Sequence, residues 1–136
     1  MAYSIAEVAE RTDLTAHTLR YYERDDLLLR PVARDSGGRR SYDEDDVRWI
    51  VMLSCLRGTG MPIRDIRRYA DLVRADDGNE DERLALLTAH RQGVLAQLAE
   101  ITEHLGAIEG KIALYKQHLE MEGLTSSALE GVDSRA

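Results

Sequence analysis

The chain has 136 residues, of which 43% are hydrophobic and 32% charged, and a formal net charge of -7. This length accommodates one modest domain with an extension and excludes two ordinary domains with separate cores. The one cysteine, Cys55, excludes an internal disulfide and a metal cage built from several cysteines. Because only 2 prolines interrupt it, we expect a mainly α protein.

The charge is unevenly distributed. Residues 1–75 carry 13 arginines, no lysine and 13 acidic residues, whereas residues 76–136 carry 5 basic and 12 acidic residues. Arginine suits phosphates and guanine edges, so the net charge does not exclude DNA as a partner of the first half. No apolar stretch has the length of a signal peptide or membrane span, so we expect a cytoplasmic protein without a membrane partner.

Two short helices are predicted near the amino terminus. Ser4 and Glu7 have the spacing of a capping box, which predicts a helix beginning at Ser4. Thr15 can cap a second helix that reaches about Arg24. Two short helices joined by a tight turn are typical of a helix-turn-helix.

The start of the second helix carries side chains that suit DNA, because this part of a helix-turn-helix usually meets base edges. The candidate DNA-binding residues there are Thr15, His17, Thr18 and Arg20. Helical spacing turns Tyr21 outward beside Arg20, where its phenol can hydrogen-bond a phosphate. Leu19 and Tyr22 are expected to face inward.

A two-stranded wing is predicted between Leu29 and Tyr42. Residues 35–38, Asp-Ser-Gly-Gly, are typical of a hairpin turn, because glycine adopts the positive φ angles that such turns need. Arg39 and Arg40 follow the turn directly. The wing would therefore present arginines.

Two further helices are predicted after the wing. Ser41 or Asp43 can cap the third, whose acidic first turn is favoured by the helix dipole. Residues 58–62 end it, and Pro62 suits the first turn of the fourth. Residues 76–81 form a solvated break, so residues 1–75 make up one domain.

A heptad pattern occupies residues 81–119, and at ~1.5 Å per residue a helix through its seam is roughly 54 Å long. Such a seam indicates a coiled coil, and a second copy of the chain is the economical partner. The alternative is a hairpin within one chain, with a turn near Gly106 or Gly110. A flexible tail is expected at 120–136. Apart from Arg91, the seam consists of Leu84, Leu87, Val94, Leu98, Ile101, Leu105, Ile108, Ile112, Tyr115 and Leu119.

No catalytic or metal-binding set is evident in the sequence. The four histidines, His17, His90, His104 and His118, are dispersed. No glycine-rich phosphate loop follows a strand, and the acidic run 43–46 fits a helix start better than a pair of catalytic carboxylates. We therefore expect neither an enzyme nor a protein with a metal or other cofactor.

Four motifs occur in order within residues 3–75. They are YSIAEVA at 3–9, TLRYYER at 18–24 with Leu27 and Leu28, GRRSY at 38–42 and LRGTGMPI at 56–63. As an ordered set they closely resemble the MerR family of bacterial transcriptional regulators. The resemblance implies a homodimer joined by an antiparallel coiled coil, with each winged helix-turn-helix on half of a palindromic operator in double-stranded promoter DNA. It also implies that the activated dimer distorts the promoter so that RNA polymerase engages both promoter elements.

The resemblance assigns DNA contacts by position. Arg20 would read the major groove. Tyr21 and Tyr42 would bind phosphates. Arg39 and Arg40 would act from the wing, and Arg64 would join the backbone contacts. The chain has Asp13 where a turn glycine is usual, and Arg40-Ser41 before the wing tyrosine, which leaves open which wing arginine touches DNA.

Cys55 resembles in position the single cysteine of the family's aldehyde- and thiol-stress-responsive branch. Arg48 and Arg57 are near it in sequence and could favour a thiolate. One hypothesis is that an electrophile or oxidant modifies Cys55 and biases the dimer between repressing and activating forms. The other is that Cys55 is a small helix residue without a sensing role.

A winged-helix adaptor that binds another protein instead of DNA is the alternative function. Loss of outward basic residues would indicate it. Because Arg20, Arg39 and Arg40 are present, the sequence favours a DNA-binding regulator.

Overall fold

The computed structural model describes the backbone of residues 2–135 and the side chains of residues 2–124. Within that part, helices dominate and the strands form a single antiparallel pair, which confirms the predicted mainly α class. Residues up to Val94 form one compact unit. The elements are α1 Ile5–Thr12, α2 Ala16–Arg24, β1 Ala33–Arg34, β2 Arg40–Ser41, α3 Glu44–Gly58, α4 Ile63–Ala75 and α5 Glu80–Arg135.

Helices α1 and α2 begin where their capping residues predict. The Ser4 hydroxyl accepts the Glu7 N–H at 3.2 Å, and the Glu7 carboxylate accepts the Ser4 N–H at 3.0 Å, which completes the capping box. The Thr15 hydroxyl accepts the Thr18 N–H at 3.0 Å. These caps satisfy amides that would otherwise lack partners, so two short helices form a helix-turn-helix.

Aspartates end several segments in the left-handed backbone region. Asp13 follows α1 with a φ of 56°, Asp26 follows α2 with a φ of 57°, and Asp76 follows α4 with a φ of 42°. Aspartate enters this region more readily than most residues other than glycine and asparagine. Asp13 therefore makes the turn for which the resemblance expected a glycine.

The wing is short and its register is defined. Ala33 pairs with Ser41 and Arg34 with Arg40. The Asp35 carboxylate accepts the Gly37 N–H at 2.9 Å and the Arg39 N–H at 3.0 Å, which closes the predicted turn.

The core lies where α1, α2, α3 and α4 meet the base of the wing. Of the two candidate caps for α3, the structure has Asp43, whose side chain accepts the Asp46 N–H at 2.8 Å. The buried residues that form this core are Val8, Leu19, Tyr22, Leu27, Tyr42, Val47, Ile50, Leu53, Leu56, Met61 and Ile66.

Helix α5 differs from the prediction at its end. It continues through Gly106 and Gly110, which contradicts a hairpin turn at either residue. It also continues past Leu119 to Arg135, so the predicted flexible tail 120–136 is helical as far as it is described. The chain has no proline after Pro62, so no residue there forces the helix to stop where the seam stops.

The predicted seam residues are largely exposed in the single chain. Ile101 is 63% exposed and Leu119 66%, whereas Leu87 packs against the domain core. Exposed apolar residues in this regular pattern leave a hydrophobic stripe without a partner.

Among the described residues, none of the helices combines the length and the hydropathy that a membrane span requires.

Candidate nucleic-acid interface

The start of α2 presents polar and basic groups at the surface. Thr15, His17 and Arg20 are exposed and Thr18 is half-buried. The hydroxyls of Thr15 and Thr18 lie 2.9 Å apart, so they share a hydrogen bond at the cap. The Arg20 guanidinium has no ion pair or hydrogen bond with any residue that the structure describes, which leaves all five of its N–H donors available.

The adjacent tyrosines divide between core and surface as helical spacing predicts. Tyr22 is buried, while Tyr21 is half-buried with its ring packed against the core. The two ring centroids lie 6.0 Å apart, and the Arg24 guanidinium carbon lies 5.8 Å from the centroid of Tyr21. Packing on one side thus holds the Tyr21 ring at the edge of α2.

Tyr42 corrects the expectation of a phosphate contact. It is only 1% exposed, its hydroxyl is buried without a hydrogen-bond partner among the described residues, and burial raises its pKa. Its backbone pairs with that of Tyr3 at 2.7 and 2.9 Å. A side chain two residues from Arg40 shares its side of the strand. That side faces the domain interior, so Tyr42 fills the core instead of meeting DNA.

Glu23 of α2 holds the wing. Its carboxylate oxygens accept Arg40 Nε at 3.1 and 3.2 Å, and Arg40 Nη2 lies 3.1 Å from Oε1. The hydrogen bond to Glu23 raises the pKa of Arg40. Arg34 Nη2 lies 4.0 Å from the same carboxylate. Sequence reasoning missed Glu23, because its partners lie across the fold and no local pattern marks them.

Arg39 has the opposite environment from Arg40. Its side chain is exposed and makes no ion pair or hydrogen bond within the described residues, although its backbone closes the wing turn. Of the two arginines that follow the wing turn, Arg39 is therefore the one available to an external anion, and Arg40 serves to fix the wing.

Arg64 lies at the exposed start of α4. Its side chain is 87% exposed, and its Nε lies 4.0 Å from the Asp65 carboxylate. Pro62 precedes the helix without a side-chain cap. Uncapped N–H groups and an arginine at a helix start suit a phosphate.

A polar cluster connects α1 to the start of α3. Arg11 donates two hydrogen bonds to Glu44, at 2.9 and 3.0 Å, and the Tyr3 hydroxyl donates a third at 2.9 Å. These bonds, that of Arg11 first, lower the pKa of Glu44 to about 2. The sequence analysis did not identify this cluster, which links α1 of the helix-turn-helix to the first turn of α3.

Cys55 is exposed on α3, one turn after the exposed Val51. Its carbonyl accepts the N–H of Thr59 at 3.0 Å and the hydroxyl of Thr59 at 2.8 Å. Arg48 pairs with Asp45 at 2.9 Å. The described residues contain no cluster of His, Cys, Asp or Glu side chains arranged to hold a metal ion.

Comparison with known proteins decides the family. Residues 3–72 match the family model described as "MerR HTH family regulatory protein". The chain belongs to the MerR family. It is thus a DNA-binding transcriptional regulator and not an enzyme, and the resemblance drawn from the ordered motifs is confirmed.

Individual relatives of this MerR-family chain match over most of its length. An HTH-type transcriptional regulator from Haemophilus influenzae is 37% identical over 117 residues, covering 86% of each chain. AdhR from Bacillus subtilis, also an HTH-type transcriptional regulator, is 40% identical over 92 residues, covering 68% of this chain and 65% of AdhR.

Two solved structures are similar in fold. HiNmlR, a MerR family regulator lacking the sensor domain and crystallised bound to promoter DNA, aligns with a TM-score of 0.80 and 37% identity over 85% of this chain and 87% of its own. A MerR family transcriptional regulator from Bacillus thuringiensis aligns with a TM-score of 0.75 and 32% identity, covering 83% of this chain and 98% of its own.

Proposed function

We propose that the chain binds a palindromic operator within a promoter as a homodimer, and that the activated dimer distorts the promoter so that RNA polymerase engages both promoter elements. The observation that carries the proposal is Arg20, an exposed arginine on α2 without a partner among the described residues. The similarity to HiNmlR, crystallised bound to promoter DNA, supports this target. A cytoplasmic location follows from the proposed binding to promoter DNA.

Each proposed contact has a defined role. His17, Thr18 and Arg20 enter the major groove, where arginine can donate two hydrogen bonds to a guanine. Thr15, at the cap of α2, lies beside them. Arg39 binds a phosphate from the wing, and the residues that fix the remaining backbone contacts are Tyr21 and Arg64. Arg40 acts through Glu23 and not on the DNA itself.

The dimer is proposed to form through α5 as an antiparallel coiled coil. Its seam leaves large apolar side chains exposed in one chain, which a second seam would cover. Antiparallel pairing places the two DNA-binding domains at opposite ends of the coil, and each then reads one half-site.

A DNA titration tests the proposal. The chain's own upstream region, labelled for fluorescence anisotropy, is compared with a scrambled fragment of equal length at several salt concentrations. We expect preference for the upstream region, two chains per bound site and a steep loss of affinity with salt. Equal binding of both fragments would refute operator recognition, and binding of neither would favour the adaptor.

We infer further that modification of Cys55 by an electrophile or oxidant biases the dimer between its repressing and activating forms. The support is its exposure and its carbonyl bonds to Thr59, which in turn contacts α5. Reporter transcription with Cys55→Ser, after treatment with an aldehyde or a thiol oxidant, is the test. A full response in the variant would leave Cys55 as a small helix residue without a sensing role.

A further inference from the structure

A cavity of about 510 Å³ lies beside α3 and α4, and none of the proposed DNA contacts lines it. Its size falls within the range of roughly 300 to 1,000 Å³ that is typical of small-molecule sites. Most of its lining is apolar or aromatic, namely Leu28, Leu29, Trp49, Met52, Tyr69 and Val73. The walls come from α3, α4, the loop after α2 and the start of α5, which carries Arg83, all inside one compact unit.

One wall of the cavity is a fixed aromatic pair. The rings of Trp49 and Tyr69 stack at 5.6 Å between centroids, with 21° between their planes. Trp49 Nε1 donates to the Leu27 carbonyl at 2.8 Å, which holds the indole in place. A wall that is already ordered costs little conformational entropy when a ligand packs against it.

Among the arginines that line the cavity, Arg83 is the one with a buried N–H donor that lacks a hydrogen-bond acceptor in the described residues. Its side chain is 20% exposed, and its Nε is buried without an acceptor among the described residues. Its Nη2 reaches only the exposed carboxylates of Asp76, at 3.5 Å, and Glu80, at 3.7 Å. A buried donor that lacks an acceptor is costly, so an anion that reaches Arg83 would relieve the cost.

The other charged groups of the cavity are already paired. Arg30 contacts Asp43 and Asp46, and Arg48 contacts Asp45 at 2.9 Å. The remaining unsatisfied group is therefore Arg83 Nε, which needs one hydrogen-bond acceptor, and an anion supplies a stronger acceptor than a neutral group. We propose that this cavity binds a small organic monoanion with a flat apolar body, such as an aromatic carboxylate. The body packs on the apolar and aromatic wall, and the carboxylate accepts hydrogen bonds from Arg83.

Trp49 makes the proposal directly measurable, because it is the only tryptophan in the chain. The full chain, without DNA, is titrated with benzoate, phenylacetate and 2-naphthoate while Trp49 emission is recorded. Their neutral amides serve as matched probes. We expect a saturable change with at least one carboxylate and a much weaker one with its amide.

Two variants separate the cavity from the rest of the surface. Arg83→Gln is expected to raise the Kd at least about tenfold, the loss that follows when a charged hydrogen bond is removed. Arg68→Gln is the control, because Arg68 lies exposed on α4 and pairs with Glu82 outside the cavity. Val73→Phe fills part of the cavity and should abolish binding with Arg83 intact. Circular dichroism establishes that each variant folds.

Three outcomes would contradict the proposed anion site. Saturation by the amides as strongly as by the carboxylates, or an unchanged Kd in folded Arg83→Gln and Val73→Phe, overturns the site. So does the absence of any saturable change, which is the result expected if a second copy of the chain fills the cavity. Because the titration contains no DNA, its failure leaves the proposed operator binding untouched.

Discussion

Thr59 at the end of α3 and His90 on α5 are joined by a hydrogen bond, with 2.7 Å between Thr59 Oγ1 and His90 Nε2. The hydroxyl also lies 2.8 Å from the Cys55 carbonyl, to which it donates, so it accepts its other bond from the imidazole. One side chain therefore connects the last turn of α3 to α5.

Replacing Thr59 by valine keeps the shape of the side chain and removes the hydroxyl, with its contacts to His90 and to the Cys55 and Leu56 carbonyls. We expect Thr59→Val to lower the free energy of unfolding by about 1 kcal/mol, the net value of a typical hydrogen bond. Urea unfolding at fixed protein concentration measures this. Thr102→Val is the matched control, because Thr102 bonds only the Leu98 carbonyl of its own helix. An equal effect in both variants would show that the bond to α5 contributes nothing.

Substitutions of Arg20 and Tyr21 are expected to impair DNA binding in different ways. Arg20→Ala should cost about 1 to 3 kcal/mol at the operator and much less on scrambled DNA, because a base contact is lost. Tyr21→Phe should weaken binding to both DNAs alike, because it removes a phosphate contact. Titrations of both fragments at one salt concentration distinguish the two losses. Unchanged selectivity in the arginine variant would contradict its assignment to the major groove.

Glu23 provides a test in which charge and positioning predict opposite results. Removing an acidic side chain beside DNA should tighten binding if long-range charge alone mattered. Because Glu23 holds Arg40, we expect Glu23→Ala to loosen the wing and weaken binding to every DNA sequence. Glu10→Gln, an exposed acidic residue of α1, is the charge-matched control, and anisotropy titration is the readout. Tighter binding by Glu23→Ala would refute a positioning role.

The cluster around Glu44 predicts a contribution of this residue to stability in acid. Its pKa is lowered from 4.5 to about 2 in the folded chain. A lowered carboxyl pKa stabilises the fold above the unfolded value, and this contribution disappears as the pH falls through the folded value. Stability should therefore fall between about pH 4.5 and about pH 2. Thermal unfolding of Glu44→Gln should show a weaker dependence on pH across this interval, and a dependence identical to wild type would contradict the prediction.

Arg74 of α4 clamps the loop that follows α2. Its guanidinium donates to the carbonyls of Asp26 at 2.7 Å and Leu29 at 3.2 Å, and also to that of Leu28. Arg74→Met should lower the free energy of unfolding by about 2 to 3 kcal/mol, because these carbonyls lose their charged donor. Arg67→Met is the comparison. It removes an arginine of the same helix, α4, that pairs at 3.5 Å with Asp25, the C-cap residue of α2. A loss no larger than that of Arg67→Met would show that the clamp is unimportant.

Local patterns predicted the elements well. The capping residues Ser4, Thr15 and Asp43 act within three residues of themselves, so sequence spacing alone contains their geometry. The stripe on α5 is equally local. The inward and outward positions of Tyr22 and Tyr21 followed from the helical period.

Contacts between distant residues were beyond these patterns. Glu23 meets Arg40 across 17 residues and Arg74 meets Leu29 across 45, and each depends on how the whole domain folds. The error at Tyr42 has the same origin, since Tyr42 is buried in a core built from several helices and its backbone pairs with the distant Tyr3. Helix α5 continues beyond its heptad stripe, because the end of such a stripe marks the end of a packing surface and not the end of a helix.

The exposed stripe of α5 has a genetic consequence. Because the stripe is identical in every copy of the chain, an intact copy and a copy that cannot bind its half-site are expected to pair equally well. If the proposed dimer forms, we expect a cell that makes wild type together with Arg20→Ala to build mixed dimers with one competent half. Such a variant should be dominant over the wild-type gene, whereas loss of the gene should be recessive.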